Sequence, residues 1–314
     1  MRSLRHSARI VAMFAAAGIF CAGVPMCESL AATVTDAGGR KVEVVDTSKI
    51  LSIGGDITEI LYALGLGSRI IAVDSTSQFP ADALKQKGNV GYMRALSTEG
   101  VLSVGASLII ASERSGPAEV VKALKQTAIP YVEVHDGLSP EGVIEKIRFV
   151  AQTVEAPKEG DELAGKLDAQ FKALAAQRAA IKRPVRALFL LNMQGGRATV
   201  GGSGTSADAI LKLAGAENAA ASVNGFKPMV DEALVEMMPD VVVAMKRYSS
   251  GSHDTDQVLS MKGMQATPAG AARRVVAMDG LYLLGFGPRT PAAALDLMRE
   301  LYPDLPASAS GLVK

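Results

Sequence analysis

From Lys49 onward, short apolar runs alternate along this chain with stretches of helical period. Lys49 to Ile53, Arg69 to Val73, Ser107 to Ala111 and Tyr131 to Val134 read as strands. Between them the pattern predicts helices over Ile57 to Leu64 (Asp56 as N-cap, Gly65 closing), Ala81 to Gln86, Pro117 to Lys125 and Pro140 to Val154. Strands separated by helices imply parallel βαβ units, whose ligands sit at the carboxyl ends of the strands. Ahead of these units, Thr33 to Val45 alternates apolar and polar residues around Asp36-Ala37-Gly38-Gly39, as a β-hairpin does.

Pro157 to Arg183 is different. It is rich in Ala, Lys, Glu and Gln, with Leu163, Leu167, Phe171 and Leu174 at helical spacing, and is bracketed by Pro157 and Pro184. One long amphipathic helix is predicted there, placed to join two lobes. The βα rhythm then resumes. Strands are expected at Arg186 to Leu191, Ala198 to Val200, Asp240 to Ala244 and Arg274 to Met278. Helices are expected at Ser206 to Ala214, Asp231 to Met237, Val258 to Met261 and Pro291 to Leu301. The fold class is therefore α/β, with an N-terminal lobe over 32–156, an interlobe helix over 157–183 and a C-terminal lobe over 184–314.

Residues 1–31 stand apart. Arg2, Arg5 and Arg9 precede an apolar run from Ile10 to Val24 and a small-residue stretch ending Ser29-Leu30-Ala31, the pattern of a cleavable secretory signal peptide. The run is too short and too rich in Ala and Gly for a membrane span, and no later stretch qualifies, so export to the periplasm without membrane embedding is expected. Both cysteines, Cys21 and Cys27, would leave with the signal, which removes disulfides and thiol chemistry. The chain has 33 basic and 32 acidic residues, and loss of three arginines and one glutamate keeps it close to neutral. No general charge favours nucleic acid or an anionic membrane. Trp is absent, which argues against a sugar cleft built from stacked rings.

Enzyme signals are weak. Gly201-Gly202-Ser203-Gly204-Thr205 could cradle an anion but lacks the third glycine of a dinucleotide fingerprint and the lysine of a phosphate loop. No Gly-x-Ser-x-Gly elbow places a serine between a strand and a helix, and His135 and His253 are too far apart in sequence for a ligand-spaced metal pair. Arginine gives the stronger pattern. Arg94, Arg247 beside Tyr248, and Arg289 all adjoin expected strand ends, where guanidinium groups suit a carboxylate-bearing ligand. Tyr92 and Arg94 would share a face if their segment is extended, with Met93 on the other. Ser97 reads as an N-cap with Glu99 in the first turn. Plain packing for Tyr92 and dipole stabilisation for Glu99 stand beside these functional readings.

The Gly-Tyr-x-Arg-x-Leu-Ser-x-Glu-Gly core at 91–100, the helix Ile57-Thr58-Glu59-Ile60-Leu61-Tyr62-Ala63-Leu64-Gly65 and the stretch Leu283-Leu284-Gly285-Phe286-Gly287-Pro288-Arg289-Thr290 resemble a known family. It is that of the periplasmic haem-binding proteins of bacterial haem ABC importers, within the vitamin B12- and siderophore-binding superfamily. The resemblance covers essentially all of the chain after residue 31. It implies a class III periplasmic binding protein of the helical-backbone type, little hinge closure, and one haem held between the lobes with Tyr92 as axial tyrosinate to the iron. Phenolate is a hard anionic donor for ferric iron. Arg94, Arg247, Arg289 and Tyr248 would then contact the haem propionates or the phenolate. Glu99 and Glu232 match the pair that docks on the permease dimer, which works with its ATPase subunits. A monomer is expected. Asn192-Met193-Gln194 occupies the region where some members carry a histidine that helps hold a second haem, so a second, histidine-ligated haem is not expected here. The alternatives are a siderophore or corrinoid carrier of the same fold and, from another class, an exported α/β enzyme acting on a carboxylate substrate.

Overall fold

Strands β1 (Ala32–Thr35) and β2 (Lys41–Val44) form the expected antiparallel hairpin, closed where the Asp36 carboxylate accepts from the Arg40 backbone N–H and guanidinium. The computed structural model describes residues 32–194, 197–246 and 253–305. The expected signal peptide, Arg247 and Tyr248 lie outside them. After the hairpin come β3 (Ile50–Ile53), α1 (Gly55–Ala63), β4 (Ile70–Val73), α2 (Ala83–Gln86) and β5 (Gly88–Asn89). Then follow α3 (Thr98–Ser103), β6 (Leu108–Ser112), α4 (Ala118–Leu124), β7 (Tyr131–Val134) and α5 (Pro140–Thr153). The five strands form a parallel sheet in the order β5-β4-β3-β6-β7. Every residue of β3 and β6 is buried, which is why their sequences are apolar runs rather than alternations.

The next element is α6 (Pro157–Arg178), which packs on α5 on one side and on helices of the C-terminal half on the other. Gly160 permits the first contact, since a Cβ there would lie 2.3 Å from the Ala151 Cβ of α5. The helix ends several residues before the expected Arg183. Beyond Arg178 the chain turns so that Ile181 packs at Gly215, a tertiary contact that overrides the good helix propensity of the following residues.

The C-terminal half contains β8 (Arg186–Gln194), β9 (Arg197–Gly201), α7 (Ser206–Leu213), β10 (Glu217–Asn218), β11 (Phe226–Met229), α8 (Asp231–Glu236) and β12 (Val241–Lys246). It closes with α9 (His253–Leu259), α10 (Lys262–Gln265), α11 (Pro268–Ala271), β13 (Val275–Asp279), α12 (Gly280–Leu284) and α13 (Thr290–Leu301). Its sheet runs β11-β9-β8-β12-β13, with β10 added beside β8. It is mixed rather than wholly parallel, because β9 turns back antiparallel on β8 and β11 antiparallel on β9. Pro228 is compatible with β11 because that strand is an edge.

The described residues belong to one compact unit. A single apolar cluster runs from Ile50 and Ile57 through Leu167 and Phe171 of α6 to Phe189, Ile210 and Leu297. Separate clusters fill the other face of each sheet. A core shared in this way ties the lobes together.

Candidate functional site

The carboxyl ends of β4, β5 and β6 face those of β8 and β12 across a cleft of about 560 Å³. That size is ordinary for a small-molecule site. The N-terminal lobe supplies Thr76 and Gln78 after β4, the turn Tyr92-Met93-Arg94 after β5, and Ser112 and Arg114 at the end of β6. Leu191, Phe226, Met245, Lys246, Leu281 and Leu284 line the opposite wall. One wall is therefore polar and cationic and the other largely apolar.

Tyr92 is 47% exposed, and Arg94 beside it is exposed as well. Met93 is buried on the other side, the separation expected of an extended segment, but the backbone is a turn closed by the Ala95 N–H donating to the Tyr92 carbonyl at 2.8 Å. Neighbouring loops hold that turn. Ser75 donates to the Gly91 carbonyl at 2.8 Å, Leu96 to the Gly116 carbonyl at 3.0 Å, and Gly116 to the Met93 carbonyl at 2.9 Å. The phenol and guanidinium thus stand on a fixed backbone. The side chains of Arg94 and Lys246 have no hydrogen bond or ion pair to the described residues.

Beneath the cleft lies a charged network that joins the lobes. Asp74, fully buried, accepts from the Gly54 N–H at 2.8 Å and from the Thr76 N–H and hydroxyl at 2.9 and 2.7 Å, fixing the start of α1 against the loop after β4. Asp56 in the first turn of α1 is not the predicted N-cap. Its carboxylate meets the Lys146 ammonium at 2.5 Å. Lys146 also reaches Asp136 at 3.3 Å and donates to the Phe286 carbonyl of the other lobe at 3.3 Å. Burial alone would depress the Lys146 pKa, but Asp56 and Asp136 outweigh it and hold the ammonium above the ordinary lysine value. Phe286 sits at φ 51°, a left-handed conformation unusual for a bulky residue, and is held there within the interlobe contact. Gly55 allows the lobes to meet, since a Cβ there would lie 2.4 Å from the Thr76 carbonyl oxygen and 2.7 Å from Leu281 Cδ1.

Arg289 belongs to this interlobe contact and is not among the residues that line the cleft. Its guanidinium takes the Glu59 carboxylate of α1 at 2.9 and 2.5 Å, with the Phe79 ring centroid 3.8 Å away. Burial pushes the Glu59 pKa up despite the arginine, so the pair is set by desolvation as much as by attraction. Arg114 and Lys246 are cleft residues that sequence reasoning passed over. Both stand at or just beyond strand ends, which was the available signal.

Glu99 is exposed in the first turn of α3, with Ser97 capping through its hydroxyl to the Gly100 N–H at 3.1 Å. Glu232 is exposed in the first turn of α8. The glycine-rich turn at 201–205 is packed on its own lobe, with Ser203 bonded to Val223 and Thr205 capping α7. Asn192 and Met193 lie in β8, on the hairpin with β9. His135 pairs with Glu113 at 2.9 Å on the surface. Among the described residues no group of three His, Cys, Asp or Glu could hold a bare metal ion, and no helix is long and apolar enough to cross a membrane.

Residues 50–281 match the family described as periplasmic binding protein. Among solved structures, the periplasmic haem-binding protein RhuT from Roseiflexus sp. RS-1 in apo form is 36% identical, with a TM-score of 0.77, covering 82% of this chain and 99% of that one. The periplasmic haem-binding protein BhuT, solved with two haems, is 37% identical with a TM-score of 0.76, covering 82% and 98%. The uncharacterised ABC transporter substrate-binding lipoprotein YvrC of Bacillus subtilis is 28% identical over 276 residues, 87% of this chain and 86% of its own. The vitamin B12-binding protein of Vibrio campbellii matches a shorter stretch, 32% identical over 126 residues, 40% of this chain and 45% of its own.

Proposed function

The chain belongs to the periplasmic binding protein family, and from that premise we propose that it carries one ferric haem in the cleft between its lobes. It acts in the periplasm as a monomer, reacts with nothing, and hands the haem to an inner-membrane ABC permease dimer with its ATPase subunits. The observation that carries this reading is the composition of the cleft. An exposed phenol on a pinned turn stands beside the Arg94 guanidinium, facing a largely apolar wall that carries one further cation, Lys246, and neither cation's side chain has a partner among the described residues. Tyr92 supplies a phenolate to ferric iron. Arg94 and Lys246 offset the propionate charges, and Leu191, Phe226, Leu281 and Leu284 cover the macrocycle.

The haem-binding solved relatives support this choice of ligand over a corrinoid, which the vitamin B12-binding relatives bring into consideration. Cobalamin carries amide side chains where haem carries carboxylates, so unpaired cations and a hard phenolate match haem better. Equilibrium dialysis against ferric haem, cobalamin and a ferric hydroxamate siderophore is expected to retain haem alone. Tight retention of cobalamin or the siderophore with no haem bound would overturn the assignment.

Delivery rests on Glu99 and Glu232, one acid on each lobe, both exposed and clear of the cleft lining. They would pair with arginines on the permease. Replacing both with alanine is expected to leave haem affinity within about threefold, as for surface changes remote from a site, while abolishing stimulation of the transporter's ATPase. Undiminished stimulation would assign the two acids to helix starts alone.

A further inference from the structure

Arg114 lies just past the end of β6 and lines the cleft, with its side chain 36% exposed. Its guanidinium already has one ionic partner. Nη2 meets the Asp136 carboxylate at 2.5 Å, and Nε is buried without a partner. Nη1 is not among the buried atoms and donates to nothing among the described residues. The anchoring acid is itself held on two further sides, by the Lys146 ammonium at 3.3 Å and by its own backbone N–H donating to Glu113 at 2.8 Å. Arg94, by contrast, is exposed on the rim with no such brace.

A guanidinium held at one nitrogen, with another open, is a preorganised carboxylate receptor, because part of the entropy of placing the side chain is lost on folding rather than on binding. We propose that Arg114 is the residue that fixes the orientation of the ligand in this cleft, binding a ligand carboxylate through its open Nη1 while Asp136 holds Nη2. The inference rests on the reading of the cleft as a haem site and adds a specificity-determining residue to it. The ligand class is a porphyrin bearing free carboxylates, with Arg114 taking the one that must be placed and Arg94 meeting the other more loosely.

Ferric haem and its dimethyl ester, which keeps the iron and ring but has no carboxylates, separate this role from iron ligation. Both are titrated by absorbance into the wild-type chain and into Arg114→Gln. A charged hydrogen bond of this kind is worth about 10- to 100-fold in affinity, so Arg114→Gln is expected to lose that much for haem. Affinity for the ester should stay within about threefold and the iron spectrum of bound haem should not change. Equal affinity of wild type and variant for haem, or equal losses for haem and ester, would overturn the proposal. Should Arg114→Gln fail to fold, Arg114→Lys keeps a cation beside Asp136 but not the planar fork. It is then expected to weaken haem by about threefold or more with the ester unaffected, and an unweakened haem affinity would overturn the proposal. If the wild type binds neither porphyrin, the haem reading itself fails, an outcome distinct from haem binding that is indifferent to Arg114.

Discussion

Replacing Tyr92 with phenylalanine is expected to weaken ferric haem binding by about 100-fold or more and to remove the tyrosinate signature from the spectrum of whatever haem remains bound. Changes to groups that merely support a metal ligand commonly cost 10- to 100-fold, so loss of the ligand sets the floor at the upper end of that range. The substitution removes one oxygen and keeps the ring. The turn is held by backbone bonds from Ser75, Leu96 and Gly116, and Met93 still anchors it, so the fold should not suffer. Spectroscopic titration of the variant beside the wild type measures both effects. A variant with wild-type affinity and spectrum would mean that the iron is ligated elsewhere.

The second large effect concerns stability. Lys146→Met leaves Asp56 and Asp136 buried without their shared ammonium and removes the donor to the Phe286 carbonyl. Breaking one side of a buried ionic cluster costs about 3–5 kcal/mol, which for a chain of this size lowers Tm by on the order of 10 °C. The sign with pH is fixed by the raised Lys146 pKa. A lysine whose folded-state pKa exceeds its unfolded value of about 10.4 contributes fully below that value, and the contribution is lost only as pH rises through the folded pKa. The difference in Tm between wild type and variant should therefore be the same at pH 7 and pH 9. Calorimetry at the two pH values checks this, and a gap that closes by pH 9 would contradict the assignment of a firmly charged Lys146.

β3, β4, β6 and β7 were legible because each is a mostly buried apolar run between turn signals, and α6 because its apolar positions recur at helical spacing, whereas β5, two exposed residues, carried no such pattern. The C-terminal sheet was less so. β9 and β11 are short, and their antiparallel direction depends on pairing partners that no local pattern encodes. Helix α12 went unread although Asp279 caps it through the Tyr282 N–H at 2.8 Å. Five residues are too few to establish a period, yet this helix supplies Leu281 and Leu284 to the cleft. Arg289 shows the same limit at the level of a side chain. Sequence places it in a rim loop, and its partner, the buried Glu59, lies 230 positions earlier, a pairing no local pattern encodes. Tyr92 and Arg94 were within reach because both stand in one short turn after a strand, and local sequence suffices to bring them together.

The measurement that bears most directly on the whole account is titration of the wild-type chain with ferric haem followed across the Soret and visible bands. Saturation at one equivalent with a high-spin, tyrosinate-ligated spectrum is the expected result. No Soret change on addition of haem would contradict the account outright.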